Sequence, residues 1–170
     1  MPKFITRHEY ESPIEGKWAG YNERRWRYVK RVIERIGRLG GIERVLELGA
    51  GPGCRSIVIG ADTMDNEKDF KPSILHDAGS VPWPIPDKHY DLFLALQVFE
   101  HLNGRQIEAF QEVRRVAHHA ILTLPHMCRT TAHRIDEKTY LTWFGKWDEI
   151  ELVYEGSCKK KMLYFNLSKP

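Results

Sequence analysis

The sequence predicts an α/β fold with a mainly parallel sheet and an antiparallel end, on three observations. Short apolar runs alternate with amphipathic stretches of helical period. Most of those runs are apolar almost throughout, as strands covered by helices on both faces must be. The last fifty residues change to alternating side-chain character, the pattern of an antiparallel pair.

Residues 1–21 carry Tyr10, Trp18 and Tyr21 without periodicity and read as an N-terminal arm or a lid; residues 22–170 read as one domain. From Asn22 onward, Trp26, Val29, Val32, Ile33, Ile36 and Leu39 recur at three- and four-residue steps, with Arg and Lys between them. An amphipathic helix is predicted, capped by Asn22 and stopped by Gly40-Gly41. The strand 44–48 follows, ending in Gly49-Ala50-Gly51-Pro52-Gly53. Alternating glycines there let backbone approach a ligand, and Glu47 can accept hydrogen bonds from a cation or from hydroxyls. Residues 57–62 read as a second strand with the Asp62 carboxylate at its end, and 73–77 as a short third one closing on Asp77.

Pro82, Pro84 and Pro86 fix an extended loop. Residues 90–96 are a buried strand, Asn103 caps a helix with Gln106 placed for a capping box, and 120–125 are another central strand. A short helix over 136–144 ends at Gly145, and 149–155 and 161–167 pair around Gly156-Ser157. Because the glycine turn, Asp62, Asp77 and Gln97 all follow strands, the fold gathers them along one edge, where open α/β sheets bind ligands.

Composition excludes several classes. With 170 residues, a net charge of +3 and basic residues spread along the chain, obligate nucleic-acid binding is not implied. Cys54, Cys128 and Cys158 are an odd number at wide spacing, which predicts a reducing, cytoplasmic setting without a disulfide framework. No stretch approaches the ~18 apolar residues of a membrane span. His118, His119, His126, Cys128 and His133 fit no standard zinc spacing, so no metal is expected.

The ordered set of signals resembles the class I S-adenosylmethionine-dependent methyltransferases, especially the small type 11 group. The resemblance rests on residues 47–53, on Gly60-Ala61-Asp62, and on Asp77-Ala78 with the loop 81–84. It continues through Tyr90-Asp91-Leu92 to Phe99-Glu100-His101-Leu102, and through residues 113–117 into 121–125, covering roughly 43–126. It implies a Rossmann-like three-layer sandwich that binds S-adenosyl-L-methionine and methylates a small-molecule acceptor. It further implies that Gly49, Gly51 and Gly53 pass the methionine part of the cofactor and that Glu47 lies near its amino group. Asp62 would then take the ribose hydroxyls, Asp77 and the Ala78 amide the adenine, and Gln97 would lie near the sulfonium. Ionised carboxylates suit a ligand that presents hydroxyl and ammonium donors.

Where the acceptor must lose a proton, His126, His101 and Glu100 are the candidates by position after strands. His101 and Glu100 also have plainer readings, as a structural hydrogen-bonder and a cap, which leaves His126 favoured. A homodimer is compatible with this reading. The sequence departs from the family in its short connections after the first and second strands, with eight residues between Gly53 and Asp62 where a parallel crossover ordinarily takes a dozen. That supports the alternative of a non-catalytic methyltransferase-like binding or assembly domain with a degenerate cofactor pocket.

Overall fold

The computed structural model describes residues 2–12, 21–52, 55–128, 135–154 and 158–168. Its elements in chain order are α1 (Arg7–Glu11), α2 (Tyr21–Ile36), β1 (Val45–Leu48), β2 (Asp62–Asp65), β3 (Ile74–Leu75) and β4 (Tyr90–Leu96). They continue with α3 (Gln106–Val116), β5 (Ala117–His126), α4 (Glu137–Phe144), β6 (Glu149–Tyr154) and β7 (Lys159–Asn166). The seven strands form one sheet in the order β3-β2-β1-β4-β5-β7-β6. β3, β2, β1, β4 and β5 are parallel, and β7 pairs antiparallel with both β5 and β6. The expected architecture is therefore present.

The period-two alternation of each central strand divides the core into two layers. Phe93 and Ala95 of β4 and Leu163 and Phe165 of β7 pack with Phe110 and Val113 of α3 and Tyr140 and Phe144 of α4. Leu92, Leu94 and Leu96, with Met162 and Tyr164, face Val29, Val32 and Ile36 of α2 on the other side. The apolar stripe read from the sequence is thus the buried face of α2. Asp136 caps α4 by accepting from the Thr139 amide at 2.9 Å. Arg105, not Asn103, precedes α3, and no side chain caps it; Asn103 takes φ 51° in the preceding turn. Gln106 is no capping-box partner either, since its Nε2 donates to the Phe99 carbonyl at 3.2 Å and closes the turn after β4.

The second strand lies later than the apolar run suggests. Residues 57–59 form no strand; Ile57 and Val58 are buried against the α2 layer. Val58 makes one antiparallel bridge to Phe4, and Gly60 turns the chain with φ 81°. β2 begins at Asp62, so thirteen residues separate it from Leu48, enough for a parallel crossover. Among the described residues this crossover holds no α-helix, and the link from β2 to β3 holds only a 3₁₀ turn, Lys68–Phe70. The described part of the N-terminal arm is docked on the crossover: Ile5 donates to the Ile57 carbonyl at 3.1 Å and Ile59 to that of Lys3 at 2.8 Å. Tyr10 is buried there, its ring centroid 5.5 Å from that of Trp26.

One expectation is overturned outright. Cys128, just past β5, and Cys158, just before β7, are joined in a disulfide with Cα atoms 4.6 Å apart. The antiparallel register that pairs His126 with Lys159 brings the two together, a proximity that spacing along the chain cannot reveal. Cysteine usage therefore no longer argues for a reducing compartment. Among the described residues, no helix is long and apolar enough to cross a membrane.

Candidate functional site

The carboxyl ends of β1, β2, β3 and β4 open onto a cleft of about 360 Å³, at the point where the strand order reverses on either side of β1. Its floor is the turn after β1, where Gly49 and Gly51 take φ 66° and 81°. The two glycines have different tasks. A Cβ on Gly49 would lie 2.7 Å from Val98 Cγ2, and the Gly49 amide donates to the Met64 carbonyl at 2.9 Å, extending the β1–β2 ladder. A Cβ on Gly51 would meet nothing within 4 Å, so Gly51 is the bare backbone facing the cleft. Gly53 lies outside the described residues.

Asp65 and Asn66, at the end of β2, line one wall. Asp65 is nearly buried, and its Oδ1 accepts from the Glu67 amide at 3.0 Å. Asp62 is at the other end of this strand, where its Oδ2 accepts from the Tyr90 hydroxyl at 2.9 Å; the acidic end of the second strand is Asp65. The displacement follows from placing the strand on the apolar run at 57–59. The crossover-length rule was the signal that could have moved it.

Asp77 and Ala78, after β3, also line the cleft. The Asp77 carboxylate accepts from the Gly79 amide at 2.9 Å and from Arg105 Nη1 at 2.8 Å, and these bonds hold its pKa below the usual carboxylate range. Gly79 leaves room for Arg105, whose Cζ a Cβ would approach to 2.2 Å. Asp77 is thus the strut that shapes this wall. Gln97 follows β4 with φ 63°; its Oε1 accepts from Lys160 Nζ, and its Nε2 lies 3.4 Å from Thr123 Oγ1.

Glu47 does not line the cleft. It is 2% exposed, on the α2 face of β1, and accepts from Ser56 Oγ at 2.7 Å and the Ile57 amide at 3.0 Å. It anchors the crossover; burial raises its pKa, partly offset by those two bonds. His101 lines the cleft with a largely exposed ring. His126 sits apart from it at the end of β5, its Nδ1 3.4 Å from the Tyr140 hydroxyl, and burial lowers its pKa. The sequence reading missed Arg25 and Arg105 as cleft residues, because α2 and the start of α3 carry no local sign of where their arginines reach, and it missed Asn66 because the second strand was placed too early.

Glu100 is the strongly displaced acid of this region. Burial raises its carboxyl to about 7, against the favourable charges of Lys160 and Arg25. Since this folded-state value exceeds the ordinary 4.5 of the unfolded chain, the native state binds the proton more tightly, and stability is lost as pH rises through that window. Glu100→Gln, which cannot ionise, is therefore expected to gain on the wild type by about 2–3 kcal/mol between pH 5 and pH 8. Urea unfolding at the two pH values measures this difference.

The residues present fit a nucleoside cofactor of the S-adenosyl type. The cleft volume falls in the range of small-molecule sites, Gly51 offers open backbone, and Asp65 offers a carboxylate to donor groups. No protein-family model matches the chain, and no curated protein matches it by sequence. Solved structures do match by shape. A SAM-dependent methyltransferase from Leishmania major superposes with TM-score 0.68 at 14% identity, over 93% of this chain and 79% of that one. One from Aquifex aeolicus gives TM-score 0.61 at 15% identity, over 80% and 87%. The magnesium protoporphyrin IX methyltransferase of Synechocystis, solved with bound SAM, gives 0.60 at 14%, over 92% and 87%. The chain has the class I SAM-dependent methyltransferase fold.

Proposed function

We propose that this chain binds S-adenosyl-L-methionine in the cleft and transfers its methyl group to a small-molecule acceptor. The observation that carries the reading is the convergence of four strand ends on one cleft lined by Gly51, Asp65, Ala78 and Gln97. Structural neighbours whose names specify SAM or its demethylated product support it. Bound there, the cofactor supplies an electrophilic methyl carbon on a sulfonium. Gly51 leaves space for its methionine part, Asp65 accepts from its ribose hydroxyls, the Ala78 amide meets its adenine, and Gln97, held by Lys160, stands beside the transferring end. The transfer is an in-line displacement, so the chain's main task is to position the acceptor and exclude water.

The alternative, a binding or assembly domain without catalysis, is favoured by one observation. No described residue after β1 begins an α-helix that would direct free amides at the cofactor. A thermal-shift titration with S-adenosylmethionine and S-adenosylhomocysteine separates the two readings, because ligand at a hundred times its dissociation constant stabilises by about 2.7 kcal/mol. An unchanged melting temperature at millimolar ligand counts against the enzyme.

The corrected position of the strand-end acid has its own test. Asp65→Ala is expected to weaken S-adenosylhomocysteine about 10- to 100-fold, the value of a charge-assisted hydrogen bond. Asp62→Ala, at the far end of β2, leaves the affinity within about twofold, because additivity holds for changes remote from a site.

A further inference from the structure

Glu100 lies in the 3₁₀ turn Phe99–His101 directly after β4, with its side chain only 9% exposed and its Oε2 without a hydrogen-bond partner. Gln97 and Val98 before it and His101 and Leu102 after it line the cleft, so Glu100 stands behind the wall at the β4 end. Charged and titratable groups face it from every element around it: Arg25 of α2, Lys160 of β7, Tyr140 of α4 and the adjoining His101. Each makes its bonds elsewhere. Lys160 donates to Gln97, Arg25 to the Tyr28 hydroxyl at 2.6 Å and the Leu96 carbonyl at 3.1 Å, and Tyr140 to the Pro125 carbonyl at 2.8 Å. His101 Nε2 stands 3.9 Å from Glu100 Oε1, beyond hydrogen-bond reach.

Charge is unevenly distributed along the cleft. Among the described residues that line it, the two carboxylates, Asp65 and Asp77, stand at the β2 and β3 ends, whereas the β4 end has Arg25 and, behind Gln97, Lys160. S-adenosylmethionine would bring a sulfonium there, a positive charge that no pH change removes, while its demethylated product has an uncharged thioether sulfur. Arg25 and Lys160 by themselves disfavour the charged donor. A carboxylate behind the wall reverses that preference without touching the ligand, because attraction between charges reaches across several ångströms of protein, where the dielectric is low. Resting on the methyltransferase reading, we propose that Glu100 is the counter-charge of the sulfonium, the residue by which the cleft prefers the charged methyl donor to its uncharged-sulfur product. Methyl transfer removes the charge and the attraction with it, which favours replacement of product by fresh donor.

The lack of a partner suits this role. Asp77 has its charge matched by Arg105 and the Gly79 amide, and Glu47 is held by Ser56 and the Ile57 amide. Glu100 answers instead to the field around it. Burial opposed by Lys160 and Arg25 leaves it titrating at about 7, so one further positive charge nearby draws it into the ionised form. That form in turn holds the positive charge, since the coupling is reciprocal.

The test measures the affinities of wild type and Glu100→Gln for S-adenosylmethionine and S-adenosylhomocysteine by calorimetry between pH 5 and pH 8, in two buffers of different ionisation enthalpy. For wild type, the preference for S-adenosylmethionine over S-adenosylhomocysteine is expected to rise about 3- to 30-fold across this range, the order for one unit charge acting on another through protein without contact. The rise is complete above about pH 7, because the carboxylate is present above its pKa and lost as pH falls through it. Just below that pH, S-adenosylmethionine is expected to release about 0.3–0.7 of a proton from Glu100 to the buffer, the linked counterpart of the fold-change, and S-adenosylhomocysteine close to none. Glu100→Gln keeps His101 but loses both effects, holding the low-pH preference of wild type throughout. A wild-type preference that does not change with pH, or one that rises equally in Glu100→Gln, overturns the inference and leaves the S-adenosyl reading standing. A wild type that binds neither compound removes that reading and this inference with it.

Discussion

Replacing Gly49 with valine is expected to lower the unfolding free energy by about 2–5 kcal/mol, from a left-handed backbone cost of about 1–2 kcal/mol and overpacking of about 1–3 kcal/mol. Both causes are visible at one residue: φ is 66°, and a Cβ would meet Val98 Cγ2 at 2.7 Å. Local relaxation is blocked, because the Gly49 amide is committed to the Met64 carbonyl and the neighbouring strand β4 is packed on both faces. A β-branched side chain makes the left-handed region worse than alanine would. Gly51→Val is the control. Its φ of 81° brings the backbone cost but no clash, so about 1–2 kcal/mol is expected, while the new side chain intrudes on the cleft and weakens the cofactor. Chemical unfolding of the two variants measures the contrast; equal losses would contradict the separate tasks assigned to the two glycines.

The second large effect is expected at the disulfide. Cys128 and Cys158 close a loop with a sequence separation of 30, and opening a loop of that size is expected to cost about 3–4 kcal/mol by the chain-entropy account. Cys158→Ser and chemical reduction of the wild type should lower the melting temperature to a similar extent. A reductant should then leave Cys158→Ser unchanged. The loss falls where β5 ends and β7 begins, beside Lys160 and its bond to Gln97, so affinity for the cofactor is expected to fall along with stability. Unchanged melting under reductant would mean that the two ends are held by their ladder alone.

How far the sequence carried these conclusions varies with the physical origin of each signal. The helix from Trp26 to Ile36 and the strand from Tyr90 to Leu96 were legible because periodicity records burial directly, and their faces match the two core layers. The glycine turn was legible because positive φ selects for glycine. The second strand was misplaced because Ile57 and Val58 are apolar for a different reason: they plug the crossover beneath α2 and the docked arm. A buried loop and a short strand share that composition.

Glu47 was assigned to the ligand by its place beside the glycine turn and by resemblance, but its carboxylate faces the α2 layer, and strand alternation alone placed it opposite to Leu46 and Leu48. The pairing of Cys128 with Cys158, and the arrival of Arg25 and Lys160 at the cleft end of the sheet, depend on contacts between residues far apart in the chain. No local pattern encodes them. Glu100 was visible as a residue after a strand, while the unpartnered burial that distinguishes it from a cap appears only when α2, α4 and β7 close around it.

The central claim is that the carboxyl ends of β1 to β4 hold an S-adenosyl nucleoside, and amide NMR of the labelled wild-type chain titrated with S-adenosylhomocysteine tests it most directly. The account predicts saturable shifts concentrated at Gly51, Asp65, Asn66, Ala78 and Gln97, with Asp62 and Tyr90 at the opposite end unmoved. Shifts centred on Asp62 and Tyr90, or none at millimolar ligand, would contradict it.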